Sequence, residues 1–378
     1  MGLISLIKSA ARFALKIKTT ISCLLQLRKD KPWMQESYYP EFADRRKSIQ
    51  QIKKEQRNYI MRYSRPNDFY FLYGFDIKDF RNPEEYVDYL TVFRSVRDRL
   101  NKSANSPFVV LRDKFLFGIV AEGLGINTPH NIALIDGGNL IGINGEMAAG
   151  AEEMKINEFQ TLFPDLDAFA KIIDGECANG VFHIEVKDGI AYVDGEKCGM
   201  DKLEQIFSDR RYVLQHRISQ HESLNAIFPK SINTIRLVSV YNKKSNDVEV
   251  LSAVLRVGRG NNHVDNWAKG GLSIGIDTNN GKLREYGFYK PGFGTKTNAH
   301  PDTRVVFNGY KIPYFEEAVE MAKRFHYYLK GIHSIGWDIA ITPTGPCFIE
   351  GNDNWEISLM QVCNHGLQGK FEELFCMN

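Results

Sequence analysis

Late in the chain, residues 336–352 read GWDIAITPTGPCFIEGN. Two short apolar runs flank a turn, Thr342-Pro343-Thr344-Gly345-Pro346, which is the pattern of a β-hairpin whose alternate side chains share one face. Asp338 lies on the first run, Glu350 and Asn352 on the second. Being two residues apart on one strand, Glu350 and Asn352 point the same way, so the three make an oxygen-rich cluster. Hard ligands of this kind suit Mg²⁺, which keeps some waters and is completed by a substrate's phosphates. The same residues fit an edge hairpin with solvated acids, and the hairpin alone leaves both readings open.

A chain of 378 residues, 43% hydrophobic, can bury a large core and is expected to hold two or three domains or subdomains. Its 48 basic and 46 acidic residues nearly cancel, which argues against nucleic acid as the partner, since that needs a concentrated basic field. The six cysteines (Cys23, Cys177, Cys198, Cys347, Cys363 and Cys376) include no CxxC pair and read as reduced thiols of a cytoplasmic protein. Residues 1–30 differ from the rest. Met1 to Leu27 holds no acidic residue, and Lys8, Arg12 and Lys16 recur every four positions. Ile4, Ile7, Ala11, Ala14 and Ile21 can line the opposite face. This describes a basic amphipathic helix at an anionic membrane surface, peripheral on its inner face. It also describes a helix packed on its own domain. The apolar runs are too often broken by lysine for a spanning helix or a cleaved leader.

Residues 31–105 read as a helical subdomain placed to cover substrate. Pro83 after Asn82 signals a helix start, and Val87, Leu90, Phe93, Val96 and Leu100 then keep helical spacing. Residues 106–215 begin with a helix, Lys114 to Glu122, capped by Asp113. Short strands follow at 132–135, 169–173, 181–186, 190–193 and 212–216, with Asp188-Gly189 as a hairpin signal. Residues 216–378 are strand-rich, with expected strands at 234–240 and 248–257. Gly258 to Gly294 reads as loops around short strands. An amphipathic helix over 314–329 turns Phe315, Ala318, Val319, Ala322, Phe325 and Leu329 inward. The class is α+β, with antiparallel sheets backed by helices.

No GxxxxGK[ST] loop, strand-borne GxGxxG, HExxH or GxSxG occurs. Cations nevertheless stand inside apolar strands. Lys171, in Phe169 to Ile173, precedes a glycine-containing loop, Asp174 to Gly180, and could meet a phosphate. Arg236, in Asn233 to Leu237, could stabilise a transferring phosphoryl group or simply pair with a carboxylate. Arg256 and Asn266 pose the same choice. His300, in Asn298-Ala299-His300-Pro301, fits a general base or a plain surface turn.

The order Lys114, Lys171, Gln215-His216, Arg236, Arg256, Asn266 before Gly270-Gly271, Asp338 and Glu350-Gly351-Asn352 resembles the ATP-grasp superfamily. The similarity to its glutamate-ligase branch runs from Ile232 onward. More narrowly, SINTIRL (231–237), HPDT (300–303) and residues 336–352 are similar to the sugar-transfer-associated ATP-grasp proteins, over roughly 106–378. That resemblance implies an ATP-grasp fold, two α+β subdomains gripping ATP between antiparallel sheets, with a helical N-terminal region. It implies Mg²⁺ on Asp338, Glu350 and Asn352. Lys114 and Lys171 would neutralise phosphates, Val213 to His216 with the Gln215 side chain would read adenine, and Glu222 would bond the ribose. Asn266 joins the nucleotide contacts, and Arg236 and Arg256 would steady an acyl phosphate. Gln215 stands where the family's hinge usually has an acid, and GECANG (175–180) is a glycine-poor lid. Three functions follow: a Mg-ATP-dependent ligase joining a small carboxylate or amino acid to a sugar-linked acceptor in cell-surface polysaccharide synthesis, a sugar or small-molecule kinase, or a non-catalytic nucleotide-binding scaffold.

Overall fold

The computed structural model describes residues 3–31, 35–102, 106–143, 153–175, 180–261 and 264–375. Among the described residues fifteen strands form two antiparallel sheets. The first holds β1 (Asn131–Asp136), β2 (Asn139–Gly142), β3 (Glu153–Lys155), β4 (Leu166–Ile172), β5 (Val181–Lys187), β6 (Ile190–Val193), β7 (Glu196–Lys197) and β8 (Tyr212–His216), in the order β3-β2-β1-β8-β4-β5-β6-β7. The second holds β9 (Thr234–Asn242), β10 (Asp247–Val257), β11 (Leu272–Asp277), β12 (Lys282–Tyr289), β13 (Lys296–Thr297), β14 (Ser334–Thr342) and β15 (Gly345–Asn352), in the order β13-β12-β11-β10-β9-β14-β15. Asp188 and Gly189 make the β5–β6 turn with φ of 52° and 70°, as a two-residue hairpin demands.

Alternation gives the second sheet two different faces. Ile235, Leu237, Leu255, Ile274 and Ile339 join one buried cluster with Phe315, Ala318, Ala322 and Phe325 of the helix Phe315–Tyr328. The spacing expected for that helix is the spacing observed. Val238, Val240, Leu251, Val254 and Phe288 face the other way, into a cluster built largely by the N-terminal region, with Tyr39, Ile52, Phe71, Leu72 and Phe93. Charged residues of β9 and β14 lie further along that same face.

Two expectations about local structure change. The region after Pro83 is not one helix: a short turn at Pro83–Glu85 leads to a wide turn at Tyr89–Phe93 and then the helix Arg94–Asn101. The cause is tertiary. Gln361 takes the Val87 amide at 2.8 Å and donates to the Val87 carbonyl at 3.1 Å, so that peptide cannot join a helix. Gly258 to Gly294 carries two full strands, β11 and β12, rather than mainly loops. Gly275 is there for clearance, because a Cβ would lie 2.3 Å from the Cys363 carbonyl oxygen. No helix among the described residues is long and apolar enough to cross a membrane.

Candidate functional site

Register brings the charged residues together. On neighbouring strands Arg236 lies opposite Asp338, and Asp338 opposite Glu350 just before a bulge. Arg236 grips the Asp338 carboxylate with two donors, Nε to Oδ1 and Nη2 to Oδ2, the latter at 3.0 Å. Arg256 Nη2 adds a contact to Oδ2 at 3.1 Å. Burial of Asp338 (3% exposed) would raise its pKa, but the two guanidiniums prevail and hold it at about 2. Glu350 behaves oppositely: burial, then the Asp338 charge, push its pKa up, against Lys114 and Arg236. Asn352 donates to Glu350 Oε1 at 3.2 Å and to the Gly336 carbonyl at 3.4 Å, so its amide oxygen is the atom left for a ligand. Gly351 between them is needed because a Cβ would meet Leu111 at 2.7 Å and Trp337 at 3.0 Å.

Arg256 is anchored more firmly than Arg236. It donates to the Thr234 hydroxyl from Nε at 3.1 Å and Nη2 at 2.9 Å, and to Asp265 Oδ1 at 3.3 Å. Asp265 in turn accepts from the Thr234 amide at 3.0 Å and from its hydroxyl. Sequence reasoning missed Asp265 and Thr234. A faint signal existed, an aspartate directly before Asn266 and a threonine two residues before Arg236 on one strand. Asn266 itself caps the short turn Trp267–Lys269 by accepting from the Ala268 amide at 2.8 Å. Trp267 stacks on Phe69 of the N-terminal region, centroids 6.5 Å apart.

The first sheet and the helix Lys114–Gly123 each supply a cation. Lys171 on β4 makes no hydrogen bond or ion pair among the described residues. Burial, with the nearby Lys114 charge assisting, brings its pKa down to about 8 against the pull of Glu350. Lys114 opens the helix Lys114–Gly123, donates from Nζ to the Gly175 carbonyl, and is held by its amide to the Ile173 carbonyl at 3.0 Å. Lys171, Lys114 and Glu350 therefore sense one another across the cleft between the sheets. Residues 176–179 of the expected lid lie outside the described residues.

Other expected contacts stand farther from this cluster. Val213–His216 forms strand β8 between β1 and β4, and Gln215, 3% exposed, donates to Asn131 Oδ1 at 2.9 Å. The Asn131 amide nitrogen is buried without a partner. His216 is exposed, with its ring stacked on His130 at 6.0 Å. Glu222 is exposed in the first turn of the helix Glu222–Ile227. His300 is neither a surface turn nor placed as a base. It is fully buried, donates from Nε2 to the Gly258 carbonyl at 2.9 Å, and accepts at Nδ1 from the Asp302 and Thr303 amides. Burial lowers its pKa, and it clasps two loops.

Two antiparallel sheets, one presenting lysines and the other an acid–arginine cluster, define an ATP-grasp protein. The chain belongs to the sugar-transfer associated ATP-grasp family, which it matches over residues 95–374. No curated protein matches it. Among solved structures it is similar to D-alanine–D-alanine ligase from Helicobacter pylori (14% identity, 71% of this chain and 61% of that one, TM-score 0.40). It is also similar to D-alanyl-alanine synthetase A from Vibrio cholerae (10%, 71% and 61%, 0.37) and to an ADP complex of N5-carboxyaminoimidazole ribonucleotide synthetase (9%, 65% and 45%, 0.38). The chain thus spans between 45% and 61% of the length of these three.

Proposed function

We propose that the protein is a Mg-ATP-dependent ligase that activates a carboxylate as an acyl phosphate and passes the acyl group to an amine. The observation that carries this reading is the Arg236–Asp338–Glu350 row, with Lys171 on the other sheet and Lys114 at the start of the helix Lys114–Gly123. A buried aspartate, a half-buried glutamate and the half-buried Lys171, which has no hydrogen-bond partner among the described residues, stand there together, and phosphoryl transfer is mostly positioning and charge neutralisation.

The donor set fits magnesium: two carboxylates and a free amide oxygen, all hard ligands. Asp338, Glu350 and Asn352 would hold the ion, which when bound neutralises charge on the β- and γ-phosphates. Its two positive charges would also ease the crowding that raises the Glu350 pKa. Lys114 and Lys171 would balance phosphate oxygens, Gln215 and His216 would border the adenine, Glu222 the ribose, and Asn266 the nucleotide's phosphate end. Among the described residues Arg236 bonds only Asp338, so it is the guanidinium less fixed in place and would be the one able to turn to a substrate oxygen. Arg256 stays fixed by Asp265 and Thr234. Both guanidiniums would then face the reacting groups. A substrate carboxylate oxygen attacks the γ-phosphorus and ADP departs. The amine nitrogen then attacks the acyl carbon, phosphate leaves, and the nitrogen gives up a proton.

The family description, association with sugar transfer, is in keeping with a sugar-linked acceptor; the proposal extends to cell-surface polysaccharide synthesis at the cytoplasmic face of a membrane, for which the basic N-terminal helix is the support. The first test is melting with and without Mg-ATP, for wild type and Asp338→Asn. At 100 times its dissociation constant a ligand adds about 2.7 kcal/mol, a rise of a few degrees. A magnesium-dependent rise lost in the variant supports the site; no rise with any nucleoside triphosphate sinks it. Product analysis with amino acids and nucleotide sugars then decides the chemistry. An amide with ADP and free phosphate means ligase, and a phosphorylated sugar means kinase.

A further inference from the structure

The N-terminal helix, Leu3–Asp30, is about 42 Å long and is tied to the body through its C-terminal third. Leu27 is buried there, with Cys23 and Leu24 packed into the same cluster. Thr20 Oγ1 donates to Ser64 Oγ at 2.8 Å, and Cys23 Sγ lies 3.4 Å from the Ser64 carbonyl oxygen. At 100° per residue these four occupy an arc of about 100°. A second apolar stripe starts above that arc at Phe13 and winds off it at intervals of four through Ile17, Ile21 and Leu25, the four exposed by 66%, 45%, 53% and 55%. The helix therefore has one seated side and one apolar side turned to water.

Charge identifies what the open side meets. Residues 3–29 carry six cations, Lys8, Arg12, Lys16, Lys18, Arg28 and Lys29, and no acidic residue. A second copy of this helix would bring six like charges against six, whereas an anionic bilayer complements both the charge and the apolar stripe. We propose that this helix is an interfacial anchor. Its Phe13–Leu25 stripe enters the surface of an anionic bilayer while Thr20, Cys23, Leu24 and Leu27 stay seated on the body. A seated anchor holds the cleft at a set orientation to the lipid, which a flexible tether does not. The inference rests on the membrane half of the reading above and is independent of its chemistry.

The test is co-sedimentation of the full chain with vesicles of phosphatidylcholine alone or with phosphatidylglycerol added. Binding is expected only with the anionic lipid. It should weaken at least tenfold as salt rises from about 0.1 to 1 M and the screening length falls from about 10 to 3 Å. Ile17→Asp with Ile21→Asp should abolish binding while leaving the Mg-ATP melting shift intact. Thr20→Cys with Ser64→Cys, oxidised to lock the helix down, should still bind; loss of binding in the locked form overturns the seated anchor. Wild type that stays unbound with both vesicles, or whose stripe variant only converts a dimer to a monomer, overturns the lipid partner. Either failure with a normal Mg-ATP shift leaves the ligase reading standing. A missing shift with intact vesicle binding does the reverse.

Discussion

Two groups of acids in this molecule have nearly the same composition and opposite surroundings. On the second sheet Asp338 is buried and caged by Arg236 and Arg256, with the half-buried Glu350 and Asn352 beside it. Asp167, His183 and Glu185 lie on β4 and β5 of the first sheet, their ligand atoms all within 4.8 Å of one another. That second trio is less enclosed and already satisfied: Asp167 is exposed, and His183 and Glu185 are half-buried. His183 Nε2 bonds Asp167 Oδ1 at 2.6 Å, Arg217 bonds Asp167 at 3.2 Å, and Lys187 bonds Glu185 at 2.7 Å. Both groups draw on cations, Arg217 and Lys187 in the first and Arg236 and Arg256 in the second, but Asp167 also meets solvent while Asp338, 3% exposed, has only its cations. A cluster of acids informs about function through what it has been denied, and here the denied element is water.

The sharpest way to break the comparison is Asp338→Asn. It removes the buried charge against which two half-buried arginines are set, and breaking a buried pair on one side costs about 3–5 kcal/mol. Denaturant unfolding should show a loss of that size, along with the lost Mg-ATP response. A loss below about 1 kcal/mol would mean that the arginines reach solvent and that the cage is not closed.

Acid titration should give the next largest effect. The folded Asp338 pKa of about 2 lies below its ordinary value, so its ionisation stabilises the fold. That contribution is complete above about pH 4 and is lost as pH falls toward 2, amounting to roughly 2 kcal/mol. Unfolding free energy measured between pH 5 and pH 2 should fall less steeply in Asp338→Asn than in wild type. Equal slopes would refute the caged-carboxylate description.

Replacing both sides of the pair is smaller in stability and larger in meaning. Arg236→Met with Asp338→Leu substitutes apolar groups on a face that, two residues along β9 at Val238, is already apolar. Arg256 keeps Asp265 and Thr234. Stability should return to within about 1 kcal/mol of wild type or exceed it, with no Mg-ATP shift and no turnover. Such an outcome shows that the charges are kept for the ligand and not for the fold.

The sequence makes the second sheet legible and the cage only half so. β9, β10, β14 and β15 declare themselves by alternation, and the hairpin at 336–352 places Asp338 and Glu350 opposite each other, as observed. Alternation within one strand cannot give register between strands distant in sequence. Nothing in the order of residues pairs Arg236 with Asp338, 102 positions apart, or brings Asp265 to Thr234. β11 and β12 are obscured because glycines such as Gly275 make room for a packed helix and so imitate loops. The break after Pro83 is hidden for a similar reason, since Gln361, far along the chain, takes the Val87 peptide. Gln215 illustrates the opposite case: its position on a strand is readable, but its bond to Asn131 is not.

The smallest effect belongs to the first-sheet trio and completes the contrast. Asp167→Asn removes an exposed carboxylate from the half-buried His183 and the exposed Arg217, and an exposed ion pair is worth about 0.2–1 kcal/mol. Unfolding should change by less than about 1 kcal/mol, and less still in high salt. The Mg-ATP melting shift should match wild type, because the trio's own cationic partners stand where a metal would have to displace them with nothing gained in burial. If Asp167→Asn instead abolished a magnesium-dependent shift that survived in Asp338→Asn, the two groups of acids would exchange roles. The buried row would then be a structural ion-pair network, and the metal would belong to the first sheet.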